Sequence, residues 1–170
     1  MKLFRLLFLF LAITAIGVSA AEAQPRPRAK KAAVRKANKV HARRVIRRTA
    51  FVIHRTHKAV KENKVYTGNL ARAVAHQRYA RRLYARGMFL RAMHQSRLAR
   101  RFAFAALSAN KGAQTADMNF DKEDEAIMNE NPVDDKELQA ELDKEMPGYS
   151  TKDEDFIDKE IGDIDLAENE

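Results

Sequence analysis

Three stretches of the chain repeat their apolar residues at the three-and-four spacing of an amphipathic helix. The first covers about 40–62. Ala42, Val45, Ile46, Thr49, Val52, Ile53, Ala59 and Val60 form one stripe there, and Arg43, Arg44, Arg47, Arg48, Arg55 and Lys58 lie mainly on the other side. The second covers about 70–86, with Leu70, Ala73, Val74, Gln77, Ala80, Leu83 and Tyr84 inward. The third covers about 88–109, with Phe89, Ala92, Met93, Ser96, Ala99, Ala103, Ala106 and Leu107 inward. The pattern breaks from Lys61 to Asn69, where Gly68 reads as the turn residue and Asn69 as the N-cap of the second helix. Gly87 alone separates the second helix from the third, and a connection this short makes them an antiparallel hairpin.

Ala80, Leu83, Gly87, Phe89, Ala92 and Ala99 follow a spacing that resembles one tetratricopeptide-type hairpin, from about Ala75 to Leu107. In that family small residues let two helices approach closely and glycine makes the turn. The resemblance covers a single unit, and stacked repeats need neighbours to bury their faces. The residues therefore predict an αα-hairpin completed into a mini-bundle by the preceding helix.

The flanks differ in character. Lys2 and Arg5 precede an apolar run from Leu6 to Ile16, then Gly17 and the small-residue sites Val18-Ser19-Ala20 and Ala21-Glu22-Ala23. This is the pattern of a secretory signal peptide over 1–23, cleaved after Ala23 or alternatively after Ala20. The run falls short of the roughly 20 apolar residues that span a bilayer. The exported chain is thus expected to be soluble or peripheral, in a periplasmic or extracellular setting. Residues 24–39, with Pro25, Pro27 and many Lys and Arg, read as a flexible basic arm that turns helical near its end. Residues 40–112 form the basic helical domain. Residues 113–170 form an acidic tail with three short amphipathic pieces. These are Asp121 to Asn129 with Ile127 and Met128, Asp134 to Glu145 with Leu138 and Leu142, and Ser150 to Glu160 with Phe156 and Ile157. The last opens with Ser150-x-x-Asp153, a relative of the capping box. Alone in water such short helices are marginal, so they read as segments that fold when docked. The fold class is all-α: a small three-helix basic core including the αα-hairpin, with an acidic, partly helical or disordered tail.

The overall charge of +9 conceals a division. Gln24 to Gly112 holds 25 Lys and Arg against one acid, Glu62; Ala113 to Glu170 holds 21 Asp and Glu against five lysines. Pairs such as Arg43/Arg47, Arg44/Arg48, Arg78/Arg82 and Arg97/Arg101 stand one helical turn apart, and each opposes an isolated helix by roughly 0.2–0.5 kcal/mol. An anion is needed beside these helices, and two sources are apparent. One is the chain's own tail, folded back as a mask. The other is an external polyanion: nucleic acid, anionic lipid of a membrane surface, or polysaccharide. The candidate contacts are Arg43, Arg44, Arg47, Arg48, Arg55, Arg78, Arg81, Arg82, Arg97, Arg100 and Arg101, with Tyr66 and Tyr79 as the aromatics open enough to stack. The alternative is a helical protein-interaction module that packs the hairpin against another helical protein. The pairing of a basic block with an acidic one is similar, in charge logic only, to cationic host-defence precursors.

Catalysis, a cofactor and a small-molecule substrate are not expected. The chain has no cysteine, and the basic domain offers only Glu62 to orient a histidine. Ser96 lies on the inward face, and His94, two residues away, points elsewhere. His54 and His57 share a helix face, yet Arg55 and Lys58 flank them and oppose a metal ion. The acids Asp121, Glu123, Asp124 and Glu125, and Asp153, Glu154, Asp155 and Asp158, lack the glycine and closing glutamate of a calcium loop.

Overall fold

The computed structural model describes residues 27–166, so the expected signal peptide and both of its cleavage sites lie outside the described residues. Three long helices form the frame: α1 over Pro27–Asn63, α2 over Asn69–Ala85 and α3 over Phe89–Ala109. The tail adds α4 over Lys122–Glu130, α5 over Asp135–Glu145 and the short α6 over Glu154–Ile157, with single 3-10 turns at Ala116–Met118 and Gly162–Ile164. The fold is all-α, a three-helix core carrying a partly helical acidic tail.

The expected flexible arm is corrected here. α1 starts at Pro27, about three and a half turns before the expected start near Val40. Proline suits the first helical position, where its missing N–H has no partner to lose. The Ala, Lys and Arg residues that follow are good helix formers. At 37 residues α1 is about 55 Å long. It outreaches α2 and α3, and its side chains from Lys30 to Ala37 stand in solvent.

Buried polar residues set the register of the frame. Thr49 Oγ1 donates to the Ser96 carbonyl at 3.4 Å and Thr56 Oγ1 to the Ala103 carbonyl at 3.2 Å. The constant offset means that α1 and α3 run parallel, with α2 returning between them. Gln77 Nε2 on α2 donates to the Ile46 carbonyl of α1 at 2.8 Å and to the Ile164 carbonyl of the tail at 3.1 Å. Its Oε1 accepts from Ser96 Oγ of α3 at 2.9 Å. Thr49, Gln77 and Ser96 thus occupy stripe positions as the polar knot of the core. Ala50, Ala99, Ala103 and Ala106, all fully buried, permit the close approach of backbones that the threonine bonds require.

The hairpin turn is built on Gly87. Its φ of 76° is left-handed, the Met88 N–H reaches the Leu83 carbonyl at 2.9 Å, and the Gly87 N–H reaches Tyr84 at 2.9 Å. This is the paired-bond helix end that favours glycine. A Cβ at Gly87 would also stand 2.7 Å from Arg35 Nη2 of α1.

The tail completes the core. Met118, Met128, Leu138, Leu142, Phe156, Ile157, Ile161, Ile164 and Leu166 are all buried. Phe156, Ile157, Ile161 and Ile164 pack in one cluster with Val52, Ile53 and Val60; Met128, Leu142 and Leu166 pack in another with Val45, Ile46, Leu83 and Met93. Burial of each such large side chain contributes about 1.5–3 kcal/mol.

One tail carboxylate caps a core helix. Asp153 Oδ2 accepts the N–H groups of Thr67 and Gly68, each at 2.8 Å, and its Oδ1 accepts the Ala71 N–H at 2.9 Å. The residue at the N-cap position is Gly68, which has a left-handed φ of 75° and whose lack of a side chain leaves room for the Thr151 carbonyl, 2.9 Å from where a Cβ would stand. Asn69, expected as the cap, is instead the first residue of α2, and its side chain bonds Thr67. Asp153 likewise serves α2 and not α6, which begins one residue later. Asp153→Ala is expected to lower the unfolding free energy by about 1–2 kcal/mol, the range of a lost N-cap. Amide hydrogen exchange should accelerate at Thr67, Gly68 and Ala71. Unchanged exchange at these three amides would show that the cap is dispensable.

Candidate functional site

The arginines of the three helices and the acids of the tail meet along most of the core's outer surface. The densest meeting lies at α4. Asp124 is fully buried, and its carboxylate takes Arg44 Nη2 at 2.7 Å and Nε at 3.0 Å, with His41 Nδ1 at 2.9 Å. Burial alone would raise the Asp124 carboxyl, but the hydrogen bonds and charges of Arg44 and His41 overcome it and hold the group below its ordinary range. The same contact strengthens the Arg44 cation: the Asp124 hydrogen bond raises its pKa against the opposing effect of burial. Asp121 adds an ion pair to Arg44 at 3.3 Å and one to Arg48 at 2.7 Å.

α5 lies against α3 through a second set. Glu137 and Glu141 both pair with Arg91, while Asp135 pairs with Arg101 and stands 3.9 Å from Arg97. Gln139 reaches inward to His76 Nε2 at 3.1 Å, and Gln95 bonds His76 Nδ1 at 2.7 Å. Phe102 stacks on the same ring, centroids 5.4 Å apart. Burial lowers the His76 pKa, against the opposing hydrogen bonds of Gln95 and Gln139. Further along the tail, Asp163 pairs with Arg78 at 2.7 Å and its carbonyl accepts from Arg81, Asp117 meets Arg55 at 3.5 Å, and Glu145 meets Arg86 at 3.1 Å. His57 Nε2 bonds the Phe156 carbonyl at 2.8 Å.

The eleven candidate arginines therefore separate. Arg44, Arg48, Arg55, Arg78, Arg81, Arg97 and Arg101 touch tail residues, and of these Arg55 and Arg101 remain exposed while the tail is docked. Arg47 and Arg82 are exposed and Arg43 is half-buried. Arg100 is a correction. It is 3% exposed, and its guanidinium lies 3.5 Å from the centroid of the Phe120 ring. None of its three nitrogens has a hydrogen-bond partner among the described residues. Burial, then the charge of Arg48, pulls its pKa down to about 9, with Asp124 and Glu125 opposing. It remains a cation at neutral pH but faces no ligand. Its inward position follows the stripe of its neighbours Ala99 and Ala103. Tyr79 is a second correction: at 4% exposure it is a core residue, whereas Tyr66 is exposed. His94 is a third, since it is buried as fully as Ser96 and does not point to the outside.

The hairpin residues Ala80, Leu83, Ala92 and Ala99 are buried and Phe89 is half-buried, meeting Tyr84 edge to face at 5.3 Å. They pack across the α2–α3 seam and, beyond it, against α1 and the tail. No protein family, curated protein or solved structure matches this chain.

Asp124 and Asp153 read in the sequence only as members of acidic clusters, and Asp153 as part of a local cap, not as the anchors of the tail. Their signal was available: each precedes an apolar pair at three and four residues, Ile127 with Met128 and Phe156 with Ile157, and so shares its inward face. Arg44 and Arg100 should respond oppositely to removal in chemical denaturation. Arg44→Ala strands a buried carboxylate and is expected to cost about 3 kcal/mol. Arg100→Met removes a buried unpaired charge and is expected to stabilise by about 1 kcal/mol, the packing of a long side chain being retained. Equal losses from both would refute the distinction.

Proposed function

We propose that this chain is an exported, non-enzymatic binding protein. Its basic helical core engages a polyanion, and its docked acidic tail masks the arginine faces it covers. The reading rests on one observation above the rest: the first turns of α1 overhang the hairpin with Lys30, Lys31, Arg35, Lys36 and Lys39 exposed, and the helix has no acidic residue in its first turn. The positive end of a helix dipole disfavours cations there and favours an incoming anion. The tail acids stand on other arginines, so this charge has no counterpart within the described ion pairs.

Recognition on this surface is by charge and not by sequence. Lysine predominates over arginine along the projecting segment, and its compact ammonium meets an anion as a point charge, without the planar fork that guanidinium offers. Nucleic acid, anionic lipid and acidic polysaccharide share the repeated anion that such a surface takes. Export favours the last two as natural partners. Arg47, exposed on the same helix, extends the basic surface toward the core.

The test is a salt titration of binding to heparin and to single-stranded DNA by the exported chain and by a Lys30→Ala, Lys31→Ala, Lys36→Ala triple variant. These lysines are exposed, so folding should be unaffected. The variant is expected to bind more weakly to both ligands. On DNA the slope of log K against log salt should fall by about 2, close to the value for three lost phosphate contacts on a single strand. Equal affinities and slopes for the two chains would refute the assignment.

A further inference from the structure

A groove of about 820 Å³ opens where α1 overhangs the hairpin, and no element of the described chain fills it. Val34 and Asn38 of α1 form one wall, Met88 and Leu90 of the hairpin turn the other, and Pro132 and Val133 of the α4–α5 connection close one end. Its lining is largely apolar, and Val34 and Met88 are 59% and 50% exposed. Lys30, Lys31 and Arg35 stand along the α1 side.

His94 lies in the lining of the groove. It is 0% exposed, and among the described residues neither ring nitrogen makes a well-formed hydrogen bond, the Asn131 backbone being the polar group that acts on the ring. A buried imidazole with two unsatisfied nitrogens is unusual, because buried polar groups are nearly always bonded. Burial foremost, then the charges of Arg97 and Arg91, hold its pKa down to about 4, with the Asn131 backbone opposing. The ring is therefore neutral, and it offers one donor and one acceptor.

The chain itself shows what such a surface receives. α5 sets Leu138 and Leu142 into the core, places Glu137 and Glu141 on Arg91, and sends the Gln139 amide to His76. That combination is an apolar pair, flanking acids on a cation and one amide on a buried histidine. The groove presents the complementary set a second time: an apolar lining, a basic edge and an unbonded histidine. We propose that it is a docking site for an acidic amphipathic helix of a partner protein. That helix would place two apolar side chains one turn apart in the groove, acids toward Lys30, Lys31 and Arg35, and one amide or hydroxyl side chain on His94. This site shares Lys30, Lys31 and Arg35 with the polyanion surface and is told from it by its apolar contacts, which salt does not screen whereas it screens charge contacts.

The probe is a labelled synthetic peptide of Asp134–Glu145, which carries the α5 pattern, added to the isotope-labelled exported chain and followed by fluorescence polarisation and amide NMR. The expected result is saturable binding that shifts Val34, Met88, His94 and Val133. About 0.5 M salt should weaken it less than about tenfold. Met88→Ser is expected to weaken it by about tenfold or more while leaving heparin binding and the melting temperature unchanged. Val34→Ser on the opposite wall gives the same reading should Met88→Ser perturb the turn. No saturable binding, loss of all binding at high salt, or shifts confined to the residues around Leu138 and Leu142 would each overturn the proposal, the last because the peptide would then be exchanging with α5. Failure here with heparin binding intact leaves the polyanion reading standing.

Discussion

A carboxylate moved from water into a protein interior loses several kcal/mol of hydration unless its oxygens are satisfied there. Asp124 and Asp153 meet that requirement in different ways, and the tail depends on both. Asp124 is answered by charge, with Arg44 and His41 of α1 closing on it. Asp153 is answered by backbone, with three N–H groups at the start of α2 converging on it. The first holds the beginning of the tail to α1 and the second holds its end to the α1–α2 connection. Between these two points the chain lays α5 across α3. The Asn110 side chain completes the lower end of the frame, bonding the N–H and carbonyl of Val65 in that same connection at 3.0 and 2.9 Å.

This arrangement explains how helices with so little internal acid pack together. The like charges on α1, α2 and α3 are not dispersed by spacing alone; acids from a separate part of the chain stand among them. Most of these pairs are partly exposed, and such pairs contribute little individually. Their effect is to remove repulsion and to orient amphipathic segments whose apolar residues then supply the larger gain. Arg100 departs from this pattern, with an aromatic ring where its neighbours have carboxylates. Cation–π contact offsets only part of the desolvation of a guanidinium.

The frame was legible because its stripes are long and regular. Every inward residue assigned to α2 is buried, and in α1 and α3 only Ala59 and Phe89 are partly exposed. The extension of α1 to Pro27 was hidden because residues 27–39 carry no apolar stripe; their helicity comes from propensity and continuity with the packed half. The partners of the arginines could not be read, since a charge run has no periodicity that names the residue opposite it. Arg100 and Tyr79 were misplaced on residue type, although the helical positions of both lie beside inward residues. The cap of α2 came from Asp153, more than eighty residues away, which local capping patterns cannot reveal.

The central claim is that the acidic tail is a part of the core and not an appendage to it. Urea unfolding of the chain from Gln24 to Glu170 beside a version ending at Gly112, both in about 0.5 M salt to suppress charge repulsion, tests it most directly. With repulsion screened, the shorter chain should still lose cooperative unfolding or show a much lower midpoint, because the apolar faces that Met128, Leu142, Phe156 and Ile164 cover would be exposed. Coincident midpoints for the two chains at that salt concentration would contradict the claim and reduce the tail to a source of counter-charge.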